Sequence, residues 1–214
     1  MRLSSLRLAI PVLVLSGGCG VSAPPAETPA ARVAAPPAAS PAAAFLASLS
    51  DVCGQAFAGR IVANEPVQPN DPFAGQTLVM HVRTCEPGRV LVPFHVGVDR
   101  SRTWVLTLQG DRLRLKHDHR HEDGREDELT MYGGDSIQAG TPNRQEFPVD
   151  AFSRELFTKL GRGVSNTNTW AMEVHPGRTF VYELSRPGRL FRVEFDLTAS
   201  VPAPPAPWGH KDTD

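Results

Sequence analysis

The chain has 214 residues, a formal net charge of −1 and 21% charged side chains. That balance offers no basic face to a phosphate backbone, so nucleic acid is not an expected partner. The length allows one domain or two, but composition is uneven along the chain, and the ends are set aside before the folded part is judged.

Residues 1–18 read as a signal peptide. Arg2 and Arg7 form a positive start, Leu8 to Leu15 an apolar run, and Ser16, Gly17 and Gly18 precede Cys19. The apolar run falls well short of the roughly 20 residues a spanning helix needs, which points to export. A small residue before a cysteine resembles the bacterial lipobox, which implies a diacylated Cys19 as the mature N-terminus. Ser16 stands where that pattern usually has Leu, with Leu15 one step earlier, so ordinary cleavage and secretion stay open. Gly20 in place of Asp implies, by the same resemblance, a periplasm-facing anchor in the outer membrane. Residues 19–44 then form a lipidated start and an Ala/Pro-rich tether with too little apolar content for a core. Extended, such a tether reaches roughly 75 Å at ~3.1 Å per residue.

With Cys19 lipidated, Cys53 and Cys85 remain as a pair in an oxidising compartment. A bridge between them contributes about 2–4 kcal/mol; two separate buried thiols are the alternative. Their wide spacing does not suit a zinc knuckle.

Residues 45–209 are the expected β-rich globular domain, with 210–214 as a tail. That length supports a single core burying about 70% of the unfolded surface. The domain opens on a short helix, "FLASLSDVCG", with Phe45, Leu46, Leu49 and Val52 along one stripe and Gly54 as its stop. Alternation by two follows. Val90, Val92, Phe94, Val96 and Val98 share one face, as do Trp104, Leu106 and Leu108. Trp170, Met172 and Val174 repeat the pattern, then Phe180, Tyr182 and Leu184, then Phe191, Val193, Phe195 and Leu197. Turn signals separate these runs at Pro87–Gly88, Gly110–Asp111, Asp123–Gly124, Pro176–Gly177 and Pro187–Gly188. A second helix is predicted from Asp150 as N-cap to Gly161. The fold expected is mainly β: one antiparallel barrel-like domain, architecturally similar to the calycins, or else a β-sandwich, with one or two short helices. The calycin Gly-x-Trp is absent, Gly59-Arg60-Ile61 standing in its place. Trp208, after a Pro-rich run, either packs back to seal one end or frays.

The densest chemistry lies in "LRLKHDHRHEDGREDEL", Leu113 to Leu129. By parity Leu113, Leu115, His117, His119 and His121 share one face, so an apolar stripe turns into imidazole toward the strand's end. If Asp123–Gly124 is a two-residue loop, His121 faces Glu126, His119 faces Glu128, His117 faces Thr130, and Arg120 pairs with Asp127. Histidines two apart on a strand sit ~6.6–6.8 Å apart at the backbone, so two rings can share an ion. His117, His119, His121, Glu126 and Glu128 are therefore candidate ligands for Zn²⁺ or Cu²⁺, with His81 or His95 as a supplementary ligand. The plainer reading is a polar hairpin held by cross-strand pairs at roughly 0.2–1 kcal/mol each. An acid–base reading pairs His119 with Glu128. No nucleophile elbow, P-loop, zincin or EF-hand motif occurs, and no catalytic residue is assigned. Trp104, Trp170, Tyr182 and Phe191 are core aromatics or the lining of a ligand cavity.

The stretches "VPFHVGVDRSRTWVLT", "LRLKHDHRHEDG", "TMYGGD", "RQEFP" and "FRVEFDL" together resemble an uncharacterised group of secreted or lipid-anchored proteobacterial proteins. The resemblance spans about Val79 to Gly209 and implies location and a single β-rich domain, with no activity attached. The sequence thus suggests a non-enzymatic envelope lipoprotein, attached to membrane through its anchor, that binds a small molecule or a divalent metal. A metal-dependent or acid–base enzyme built on the His117–Glu128 hairpin is the first alternative, and an envelope assembly factor the second.

Overall fold

The structure, a computed structural model, describes residues 39–211 together with Pro11. The signal-peptide and lipidation readings, Cys19 included, lie outside the described residues.

A helix, α1 (Pro41–Ser50), precedes seven strands: β1 (Ala56–Glu65), β2 (Leu78–His81), β3 (Thr84–Glu86), β4 (Arg89–Val96), β5 (Asp99–Gln109), β6 (Arg112–His119) and β7 (Tyr132–Asp135). There follow β8 (Arg144–Pro148), α2 (Ala151–Lys159), a 3-10 turn at Gly163–Thr167, β9 (Thr169–His175), β10 (Thr179–Arg186) and β11 (Arg189–Asp196). All pairings are antiparallel in one sheet ordered β7-β6-β5-β4-β2-β1-β11-β10-β9-β8, with β3 added to β4. A single sheet whose end strands meet is a nearly closed barrel; the sandwich alternative does not occur.

The predicted turns all form, and inward parity holds along the predicted strands. Val90, Val92, Phe94 and Val96 are buried, as are Trp104, Leu106, Trp170, Met172, Val174, Phe180, Phe191, Val193 and Phe195. Each such side chain withdrawn from water contributes roughly 1.5–3 kcal/mol before conformational entropy is subtracted. Val98 departs from the pattern: it sits in the β4–β5 turn and is 93% exposed. On the outer face of β8–β11, Glu173 and Glu183 are bridged by Arg144 and Arg192.

The closing seam is made by small residues. A Cβ on Gly134 would lie 1.9 Å from the Pro148 carbonyl oxygen, so only glycine lets β7 approach β8 this closely. The adjacent Gly133 amide donates to Ser153 Oγ at 2.7 Å, and its carbonyl accepts from that hydroxyl at 3.1 Å and from the Asp150 amide at 3.0 Å. The start of α2 thus supplies the bonds a β7–β8 ladder would have made. Asp150 caps α2 by accepting from the Ser153 amide at 2.8 Å, as predicted.

α1 touches β4, β5 and β6 on one side and β8 and β9 on the other, with Phe45, Leu46 and Leu49 buried, so it plugs one end of the barrel. It begins at Pro41 and not at Phe45, because Pro41 suits a first helical position behind the Ser40 N-cap. The disulfide Cys53–Cys85 ties the segment after α1 to β3. The C-terminal segment packs back, but along the outer wall and not over an end: Val201 bridges Ala56, and the Trp208 amide donates to the Arg100 carbonyl at 3.0 Å. The segment expected to be a free tail from 210 remains attached at His210 and Lys211, which meet Asp118 and Arg83 respectively.

Candidate functional site

β6 carries the stripe that matters. Leu113, Leu115 and His117 point inward and are buried, whereas Arg114 and Lys116 point outward to Asp135 and Asp150. His119 keeps to the inward face, its ring against Tyr132, and the expected geometry stops beyond it. His119 is half-buried, and His121 is exposed, 4.0 Å from Asp127.

The hairpin register is also corrected. His117 pairs with Tyr132 and Leu115 with Gly134, and the ladder ends there. Thr130 serves His119 instead of His117, its hydroxyl accepting from the His119 amide at 2.8 Å. The cause lies in the acidic loop itself. Asp123 accepts from the Arg125 amide at 3.0 Å and Asp127 from the Leu129 amide at 2.7 Å, local turns that draw backbone donors out of the ladder. Arg120 pairs with Asp118 and Glu126 in place of Asp127. Glu126 and Glu128 are exposed and meet none of the imidazoles. Among the described residues no three His, Cys, Asp or Glu side chains are placed to hold a metal. His81 and His95, the supplementary candidates, face outward beneath the C-terminal segment, on the far side of the wall from His117. His95 is 4% exposed, its Nε2 has no protein partner, and burial followed by repulsion from His81 pushes its pKa down to about 4.

His117 is organised by tyrosine. The chain has only two tyrosines, Tyr132 and Tyr182, and both meet this ring. Nδ1 lies 3.1 Å from the Tyr132 carbonyl, which can only accept, so Nδ1 carries the proton. Nε2 is then the acceptor, and the Tyr182 hydroxyl donates to it at 2.9 Å. Complete burial, with His119 beside it, pushes the His117 pKa down to about 3. The ring is a neutral, fully bonded part of the wall. The Tyr132 hydroxyl lies 3.2 Å from His119 Nε2, and burial pushes that histidine down to about 4.

Tyr132 and Tyr182 also line a cavity of about 240 Å³ at the end of the barrel opposite α1. Phe73, Tyr132, Trp170, Tyr182, Leu184 and Phe191 line it. A smaller space of about 50 Å³, sharing Phe73, Tyr132 and Tyr182, continues inward to His117, His119 and Arg102. Phe73 comes from the β1–β2 loop, where the Asp71 carboxylate accepts from its amide at 2.9 Å and anchors the turn. The Phe73 ring packs 4.9 Å from Phe191, and the Arg102 guanidinium lies 5.4 Å from the Phe73 ring centre. At the rim stand Arg162, Arg186 and Arg189 with Ser165 and Asn168. Of the aromatics that the sequence offers as cavity lining, Trp170, Tyr182 and Phe191 line this cavity and Trp104 the smaller space, whereas Phe73 and the arginines are not among them. Only "SRPGRL", with its arginines flanking a turn, could have hinted at them.

Two other depressions are chemically weaker. One of about 410 Å³ between Ile137 and Pro148 holds Arg144, already engaged by Glu146, Glu173 and Glu183. The other, about 640 Å³, is an open groove beside the C-terminal segment, where the buried Trp208 Nε1 and His95 Nε2 lack protein partners.

No protein family, curated protein or solved structure matches the chain.

Proposed function

We propose that this is an exported, lipid-anchored envelope protein whose barrel holds a small, largely apolar molecule and performs no chemistry on it. The observation that carries the reading is the aromatic cavity at the barrel mouth, about 240 Å³, with a smaller space of about 50 Å³ beside it that reaches the neutral His117. An apolar pocket with a few convergent polar groups is the usual form of a ligand site. Binding is favoured over acid–base work because both His117 nitrogens are spent on Tyr132 and Tyr182. Glu128, the acid meant to polarise His119, stands in an exposed groove with Leu156 and Lys159. The Cys53–Cys85 bridge supports an oxidising compartment, and the lipobox-like Cys19 and the resemblance of several motifs to a lipid-anchored proteobacterial group support the anchor.

A neutral naphthylamine probe, N-phenyl-1-naphthylamine, tests the pocket. The full chain is expected to bind it with a fluorescence rise and to quench on filling the mouth with Leu184→Trp, affinity falling about tenfold or more. Absence of probe binding by the parent chain sinks the reading.

A further inference from the structure

Resting on that pocket reading, we propose that the mouth selects an anion: a small molecule with an aromatic or short apolar body and a terminal carboxylate or phosphate.

Arg186 and Arg189 face each other directly across the Pro187–Gly188 turn, paired in the β10–β11 register. Like charges placed opposite one another destabilise a hairpin. Here nothing compensates them. Among the described residues neither arginine, nor Arg162 beside them, has a carboxylate within 4.0 Å, and no Asp or Glu lines the cavity. Their protein bonds are few. Arg186 donates one nitrogen to Asn168 Oδ1 at 3.2 Å, and Arg189 uses one nitrogen on the carbonyls of Pro66 and Leu190. The remaining guanidinium donors have no protein acceptor among the described residues.

Five arginines elsewhere differ. Arg60, Arg102, Arg114, Arg144 and Arg192 are each bonded to carboxylates, in a chain whose net charge is −1. Among the described residues Arg83, Arg100, Arg154 and Arg178 also lack a carboxylate partner, but none of them lines this cavity, where three such arginines meet. Burial and repulsion from Arg189 both lower the Arg186 pKa, a strain that an anion between the two would relieve. The Arg189 guanidinium lies 5.7 Å from the Phe191 ring centre, which holds it beside the aromatic wall. A ligand ring stacked there would present its acidic end to forked donors that suit carboxylate or phosphate oxygens. The volume, about 240 Å³, is below the ~300–1,000 Å³ of common ligand pockets, which suits a body of two or three rings or a short chain.

Calorimetric titration of the full chain with 2-naphthoate, 2-naphthyl phosphate and neutral 2-naphthamide tests this. One of the two acids is expected to bind about tenfold or more tightly than the amide, and which acid does so names the head group. R186Q/R189Q should bring the acid down to the amide's affinity, with a melting temperature no lower than the parent's. Should that variant melt early, R162Q and R186Q singly are expected to narrow the same ratio. Equal affinity for acids and amide, or a preference that survives the arginine variants in folded protein, overturns the anion inference while leaving the pocket intact. A parent chain that binds neither the neutral naphthylamine probe nor any of the three naphthalenes removes the pocket and the inference with it.

Discussion

His117 shows how one residue's chemistry is set by what surrounds it. On an exposed strand it would titrate near neutrality; inside the barrel its pKa is pushed down to about 3. Buried His95, on the outer face, is pushed down to about 4. In each case the folded value lies below the unfolded one, so the unfolded chain takes up protons first as pH falls. Stability is therefore complete above about pH 6.5 and lost on acidification toward pH 4, at a rate of ~1.4 kcal/mol per pH unit for each such histidine. Denaturant unfolding between pH 7 and 4.5 is expected to show a decline on the order of 4 kcal/mol from the pair. The lowered carboxylates, such as Glu173 at about 2, add to the loss only from about pH 5 downward, at the foot of that window. A flat profile would mean that these rings are not buried neutral.

At the scale of elements, the β6–β7 connection decides what the histidines can do. The acidic loop bonds to itself, so the ladder closes only at His117 and Tyr132, and the carboxylates end outside. Closure then depends on β7 meeting β8 through Gly134. Gly134→Ala would drive a methyl into the Pro148 carbonyl, backbone against backbone. The expected cost is about 3 kcal/mol or more, read as a lower denaturation midpoint. Gly163→Ala, where an added Cβ meets nothing within 4 Å, should stay within about 0.5 kcal/mol. Equal effects from both would show that the seam is looser than described.

For the whole molecule, α1 plugs one end and the far end stays open as an aromatic mouth ringed with cations. No helix among the described residues is long and apolar enough to cross a membrane. The proposed attachment rests on Cys19 alone. Cys19→Ala is expected to abolish labelling by a palmitate analogue and to move the protein out of the membrane fraction, with the barrel's melting temperature unchanged. A parent chain that takes up no label, or a variant that stays with the membrane, would sink the anchor.

Strand faces, turns, the Asp150 cap and the Cys53–Cys85 pairing were all legible in the sequence. The disulfide follows from the two cysteines left once Cys19 is set aside, and the rest is local or a matter of parity: a side chain's face follows from its position in a two-residue repeat, and a Pro–Gly or Asp–Gly step bends the chain wherever it occurs. Parity also put His117 on the inner face, with Trp170, Tyr182 and Phe191. It could not say where the ladder would stop, since that depended on whether Asp123 and Asp127 bonded to their own loop or left the backbone to pair. Nor could it bring Phe73, Arg162, Arg186 and Arg189 to one opening. Phe73 and Arg162 leave separate loops while Arg186 and Arg189 flank one turn, and only the order and closure of the strands make the three places neighbours.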